Sequence, residues 1–285
     1  MVDPAAILDA FLASPYVTNE HAKPDGMHVG QVRAVGAFLA LYVFLRHAVV
    51  PALSARLCET YATKLSAWER AQWCGRWISL LHCFPAVYLA AAAIAAEPGR
   101  YWTAATVVES FTAASELATA NTFAYLAHDL FDLLKNVAVH GKHDGGPLVY
   151  AHHVFGILCY VNCYSYGKFG VVVCAWILTE LSTPFLNAIW FYEKLGMRDA
   201  RTYAGCALWL SYVPTRVALS PVTAAAAYEF WASFERLPLL CYGQFVAMLS
   251  FATVMNYFWF YKITKGLIKA LRKTFGAGAS EKKRA

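Results

Sequence analysis

Residues 169–192 read Phe-Gly-Val-Val-Val-Cys-Ala-Trp-Ile-Leu-Thr-Glu-Leu-Ser-Thr-Pro-Phe-Leu-Asn-Ala-Ile-Trp-Phe-Tyr. The stretch exceeds the roughly 20 apolar residues that a helix needs to cross hydrocarbon. Only Glu180 in it carries a formal charge. Glu180, Thr183, Pro184 and Asn187 follow i, i+3, i+4, i+7 spacing and so share one helical face. Pro184 has no N–H to offer the Glu180 carbonyl, which predicts a kink beside the carboxylate. Polar groups are costly in hydrocarbon, so such a face turns toward a bundle interior or a wet cavity.

The same pattern recurs on both sides of this segment. Spans are predicted at about 31–53, 77–96, 117–139, 148–162, 169–192, 203–224 and 238–261, the fourth being short. They carry His82, His128, Asp129, Asp132, His152, His153, Glu180, Asn187, Arg216, Gln244 and Asn256. Composition agrees, with 59% hydrophobic residues and only 15% charged ones, where a soluble domain carries about 25% charged. The predicted fold is an all-α membrane protein of seven transmembrane helices around a polar chamber.

Loop charge orients it. With the N-terminus lumenal, the cytosolic segments and Lys135 hold 17 Lys and Arg, against 4 on the opposite face. That bias is what an odd number of spans with a cytosolic C-terminus requires. It also accounts for the net charge of +6 without a nucleic-acid partner. The opening residues lack a basic region ahead of an apolar core, so the first span is expected to serve as an uncleaved signal. The eight Cys, most within or beside spans and with no Cys-x-x-Cys pair, read as small apolar packers rather than a disulfide framework or metal site.

The expected organisation is a lumenal lead at 1–30, a first transmembrane helix and loop at 31–63, a membrane domain at 64–272 and a cytosolic tail at 273–285. Residues Ala5 to Ala13 suit the lumenal interface. Counting 1.5 Å per residue places His82, His152, His153, Asn187 and Asn256 in one layer near the cytosolic boundary. Asp129, Glu180 and Arg216 fall in a deeper one. Arg216 is expected to pair with Glu180, or with Asp129. His128, Asp129 and Asp132 read as hydrogen-bonded or ion-paired groups rather than metal ligands, and no metal is expected. His152 and His153 differ by about 100° around a helix, so one is expected to face the cavity and the other to bind a neighbouring helix, at Glu180 first and Asp129 second. Lys282 and Lys283, near the extreme C-terminus, resemble a dilysine retrieval signal. Such a signal implies endoplasmic-reticulum residence and retrieval coat proteins as partners.

Several motifs together resemble the TLC domain. Lys64-Leu65-Ser66 followed by Trp73, Arg76, Ser79 and His82 is similar to its opening. The pair His152-His153 is similar to its histidine motif. Glu180-Leu181-Ser182-Thr183-Pro184-Phe185-Leu186-Asn187 with Trp190 closely resembles the next motif. Arg216 after a Pro-containing span, then Asn256-Tyr257-Phe258-Trp259-Phe260 with Gly266, resemble its close. The match covers about 64–272. The family includes ceramide synthases, translocating-chain-associated membrane proteins and small TLC-domain-containing proteins linked to lipid balance, and the chain most resembles the last. The resemblance implies six helices in a ring around a narrow lipid-sized cavity, preceded by one extra helix. It departs from the ceramide synthases. Where they carry His-Asp-x-x-Asp a span after the His pair, this chain has Thr179-Glu180-Leu181-Ser182-Thr183. Its own His128-Asp129-x-x-Asp132 precedes the pair, and Ile189 stands where the small proteins often have Arg before the Trp.

Two functions remain open at this level. One is an enzyme moving an acyl group to or from a lipid, with His152 or His153 as nucleophile or general base and Glu180 or Asp129 orienting it. In it Asp129, Asn187, Arg216, Asn256 and His82 would hold substrate and acyl-CoA would be the co-substrate, without any other cofactor. The other is a non-catalytic lipid-binding, sensing or cargo-receptor protein whose partner is a membrane lipid or fatty acyl chain. A transporter is a third class, for which no Gly-interrupted inverted helix pair speaks.

Overall fold

A computed structural model describes residues 27–96, 103, 107, 108, 111–234 and 236–281. The lead before residue 27, including Ala5 to Ala13, and the dilysine pair lie outside the described residues. The described residues contain no strand. Most of their helices join into seven long rods, with short segments at Thr60–Lys64 and Trp231–Phe234 between rods. Helix α1 runs Met27–Phe44, continues through a π turn at Leu45–Val49 and ends as Val50–Leu57. Helices α2 (Ala67–Ala95), α3 (Ala113–His140) and α4 (Pro147–Tyr166) follow. Helix α5 joins Gly170–Ile177 to Thr183–Lys194 across the 3₁₀ turn Leu178–Ser182. Helix α6 joins Arg198–Tyr212 to Leu219–Glu229 across the π turn Val213–Ala218, and α7 is Leu239–Glu281.

Local chemistry explains the ends. Ser66 and Glu69 form a reciprocal capping box that starts α2, and Thr112 with Ser115 does the same for α3, each pairing two otherwise orphaned groups. Gly141 and Gly167 end α3 and α4 in the left-handed conformation, which only glycine adopts without steric cost. Helix α4 was expected to be short at 148–162. It is 20 residues long, about 30 Å at 1.5 Å per residue. In its polar last turns Asn162 Nδ2 donates to the Cys241 carbonyl of α7 at 2.9 Å. The kink expected at Pro184 takes the form of the 3₁₀ turn just ahead of it.

Helices α1 (Gln31–Leu57), α2 (Ala67–Ala95), α5 (Gly170–Lys194) and α7 (Leu239–Lys273) are each long and apolar enough to cross a membrane on their own. The others, α3, α4 and α6, carry His128, Asp129, Asp132, His152, His153 and Arg216. Packing runs α2 on α3, α3 on α4, α4 on α7, α7 on α6, α6 on α5 and α5 back on α2, with α1 outside against α3 and the first half of α5 also touching α3. Helices α2 and α3 both bury small residues, which permit close backbone approach: Ala86, Ala90 and Ala93 on α2, Ala118 and Ala124 on α3. Where lipid tails are as apolar as the side chains, close backbone approach of this kind replaces the hydrophobic effect as the association force. None of the eight Cys is in a disulfide, and five of them are buried. At the other end of α4, Phe169 is fully buried at φ 65°. It holds that left-handed backbone while packed in a three-ring cluster, stacked on Phe245 at 4.1 Å and against Phe234 at 5.5 Å.

Candidate functional site

Two cavities meet inside the bundle. The apolar one, about 120 Å³, is lined by Leu126, Phe155, Gly156, Trp176, Phe245 and Met248 among others. The aromatic stack at Phe169 braces its Phe245 wall. The second is a polar vestibule of about 420 Å³ that includes Arg76, Ser79, Asp129, Asp144, Asn187 and Lys262. Leu126, His152, Glu180 and Arg216 line both.

The two histidines of α4 have different surroundings. His153 is buried, and both of its ring nitrogens are engaged: Nε2 lies 2.8 Å from an Asp129 carboxylate oxygen and Nδ1 lies 2.8 Å from the Val149 carbonyl. His152 makes ring contacts only, edge-on to Trp259 at 5.6 Å and to His153 at 5.4 Å. It therefore keeps its nitrogens available at the junction of the cavities. Both rings line the vestibule, so only the expectation of a partner on a neighbouring helix is met, by His153 and Asp129, the second of the two expected.

Arg216 sits in the π turn of α6 and is buried. Its Nη2 lies 3.8 Å from Glu180 Oε1, so the expected pair forms. Nε donates to Ser182 Oγ at 3.0 Å and Nη1 to Asn256 Oδ1 at 3.4 Å. A buried guanidinium is tolerated only when its donors are met in this way. Thr183 Oγ1 donates to Glu180 Oε2 at 2.7 Å. Asn187 donates to Ser79 Oγ at 3.0 Å and accepts from Arg76 at 3.4 Å. The two expected layers are not separate: the His153–Asp129 and Arg216–Asn256 contacts cross between them. Adding rise along each helix ignores tilt and the π and 3₁₀ turns, which shift depth.

His82 lines neither cavity. It is fully buried, stacked on Tyr125 at 4.0 Å. His128 packs against Tyr42, and Asp132 pairs with Arg46 of α1 while also reaching the vestibule. Gln244 ties α7 to the Leu158 carbonyl of α4. Sequence reasoning missed Arg46, Arg76 and Asp144 as partners. Arg76 approaches Asp144 at 3.6 Å and lies 5.0 Å from the Trp190 ring centroid. Its signal was its spacing: Arg76 and Ser79 stand three apart on α2 and so share a face.

A helical bundle with apolar outer faces, four self-sufficient spans and an inward polar chamber defines a multi-pass membrane protein. The TLC domain family model matches residues 72–265, and the chain belongs to that family. It is 26% identical over 243 residues to TLC domain-containing protein 4-B of Xenopus laevis, covering 82% of this chain and 88% of the relative. It is also 26% identical over 258 residues to TLC domain-containing protein 4-B of Danio rerio, covering 87% of this chain and 93% of the relative. The human TLC domain-containing protein 4 matches at 26% over 152 residues, covering 52% of this chain and 56% of the relative. The likeness is thus to a small TLC-domain protein. No solved structure matches.

Proposed function

We propose that this protein works in lipid homeostasis in the endoplasmic reticulum, as seven membrane spans of which six ring a lipid-sized chamber. The circuit of neighbours α2–α3–α4–α7–α6–α5 supports the ring. The basic residues near the helix ends support a cytosolic vestibule, with Arg76, Asp144 and Lys262 in its lining. The N-terminus is then lumenal and the C-terminus cytosolic.

The observation that carries the chemistry is His152, unbonded where the apolar cavity meets the polar vestibule. In this reading a fatty chain occupies the apolar cavity and the head of an acyl-CoA, or of a lipid, occupies the vestibule. His152 takes the proton from an acceptor amine or hydroxyl as its nitrogen or oxygen bonds to the acyl carbonyl carbon. The carbon–sulfur bond of the thioester breaks, and the proton passes to the leaving thiolate. Arg216 offers a cation to the carbonyl oxygen as charge develops there. The His153–Asp129 pair and Glu180 position these groups, and Asn187 and Asn256 supply polar contacts for the head.

A second reading has its own support. Most of the polar lining is already paired within the protein, as in Asp129–His153, Glu180–Arg216 and Asn187–Ser79. A self-satisfied lining suits a non-catalytic receptacle that binds, senses or carries a lipid. Purified wild type and His152→Ala, with matched unfolding curves, are to be assayed for acyl transfer from acyl-CoA to a lipid panel. Turnover by wild type that falls at least 100-fold in the variant supports the enzyme. Wild-type turnover in a folded His152→Ala variant rejects His152 as the base. Lipid bound without turnover in either protein selects the receptacle.

A further inference from the structure

His82 and Cys83 of α2 meet Glu180 of α5, 97 residues further along than Cys83. One ligand-capable atom from each lies within 4.8 Å of the others. His82 is 0% exposed, yet neither of its ring nitrogens has a hydrogen-bond partner. A buried imidazole with both nitrogens unsatisfied is a rare and costly state that calls for an occupant. Stacking on Tyr125 fixes the plane of the ring. Cys83 Sγ lies 3.7 Å from Glu180 Oε2, the oxygen that Thr183 also holds, while Oε1 faces Arg216. The carboxylate thus divides its two oxygens between the arginine and the His82–Cys83 pair.

We propose that His82, Cys83 and Glu180 bind one zinc ion between α2 and α5. A nitrogen, a sulfur and a carboxylate oxygen form a donor set that zinc accepts. Ligand atoms around tetrahedral zinc stand roughly 3.3–3.8 Å apart, a spacing that Cys83 and Glu180 already meet at 3.7 Å, so binding draws His82 in by at most about 1 Å. Binding forms a zinc–sulfur bond as the Cys83 thiol proton is released to solvent, with no change in oxidation state. The Cys83 thiolate and the Glu180 carboxylate then face two cations, zinc and Arg216, so the site keeps a net positive charge that an anionic fourth ligand such as hydroxide cancels. Three protein ligands leave a fourth coordination position, the arrangement of zinc sites that take up water or substrate. No ligand spacing along the chain announces such a site, because two ligands are adjacent and the third is on another helix. The proposal is independent of the role of His152, and a failure of either leaves the other standing.

The test uses the full chain in detergent, stripped with chelator and titrated with Zn²⁺ or Co²⁺ alone. Bound zinc is measured by mass spectrometry, and the cobalt protein by absorption. The expected result is about one ion per chain with a thiolate-to-cobalt charge-transfer band. Cys83→Ser should remove the band and weaken zinc binding at least tenfold, while Cys163→Ser should leave both unchanged. If Cys83→Ser does not fold, His82→Gln serves as the second variant and should weaken binding at least as much. Folded wild type that takes up neither ion overturns the proposal. So does a charge-transfer band that survives Cys83→Ser and disappears in Cys163→Ser.

Discussion

His153 Nε2 on α4 lies 2.8 Å from the Asp129 carboxylate on α3. Because Nδ1 of the same ring is held by Val149, both nitrogens of His153 are engaged, while His152 beside it makes ring contacts only. The first prediction follows from that division of labour. Asp129→Asn should destabilise the protein by about 3 kcal/mol, since it leaves a buried imidazole without its carboxylate. A double-mutant cycle with His153→Gln should return a coupling of about 1–3 kcal/mol in detergent unfolding. Additivity of the two single changes would reject the pair as a structural tie.

Arg216 spreads its donors over Ser182, Glu180 and Asn256. Arg216→Met alone strands the Glu180 charge and should cost about 3–5 kcal/mol. Combining it with Glu180→Gln removes both charges and should recover at least about 1 kcal/mol of that loss. Equal unfolding midpoints for the single and double variants would show that the pair is not coupled.

Gly156 on α4 lines the apolar cavity, and a Cβ there would meet Leu126 Cδ1 at 2.6 Å. The contact is with the end of a flexible side chain, so Gly156→Ala should cost only about 1 kcal/mol. Gly156→Phe should fill the cavity and reduce retention of a fatty chain much more than it reduces stability. Mass spectrometry of co-purified lipid, alongside unfolding curves, reads both; chain retention unchanged in Gly156→Phe would move the lipid elsewhere.

Arg76 and Asp144 approach at 3.6 Å with side chains 21% and 29% exposed. A pair so open to solvent contributes at most about 1 kcal/mol. Asp144→Asn should therefore leave the unfolding midpoint nearly unchanged, yet alter how strongly salt affects ligand entry to the vestibule. A salt dependence of binding identical to wild type would exclude this pair from the entrance.

Lys282 and Lys283 lie outside the described residues, so the proposed retrieval signal is tested in cells. Replacing both with Ser should move a tagged protein out of the endoplasmic reticulum toward the Golgi. Unchanged reticular localisation would remove the dilysine as the address.

The apolar runs, the capping boxes at Ser66 and Thr112 and the glycines at 141 and 167 are local signals, so the sequence by itself determined the helices and where most of them stop. The Glu180-to-Asn187 stripe announced an inward polar face, and its motif with the His152–His153 pair identified the family. Arg216–Glu180 was also within reach, because a buried charge must find a partner. Only the tertiary structure decided the rest. Asp129, not Glu180, holds His153, because α4 packs directly on α3, the helix that carries Asp129. Arg46 reaches Asp132 across 86 residues, and His82 leaves the cavity lining to stand beside Cys83 and Glu180. A helical period reports which residues share a face. Which neighbour that face meets depends on how whole helices cross, and no single stretch of sequence encodes it.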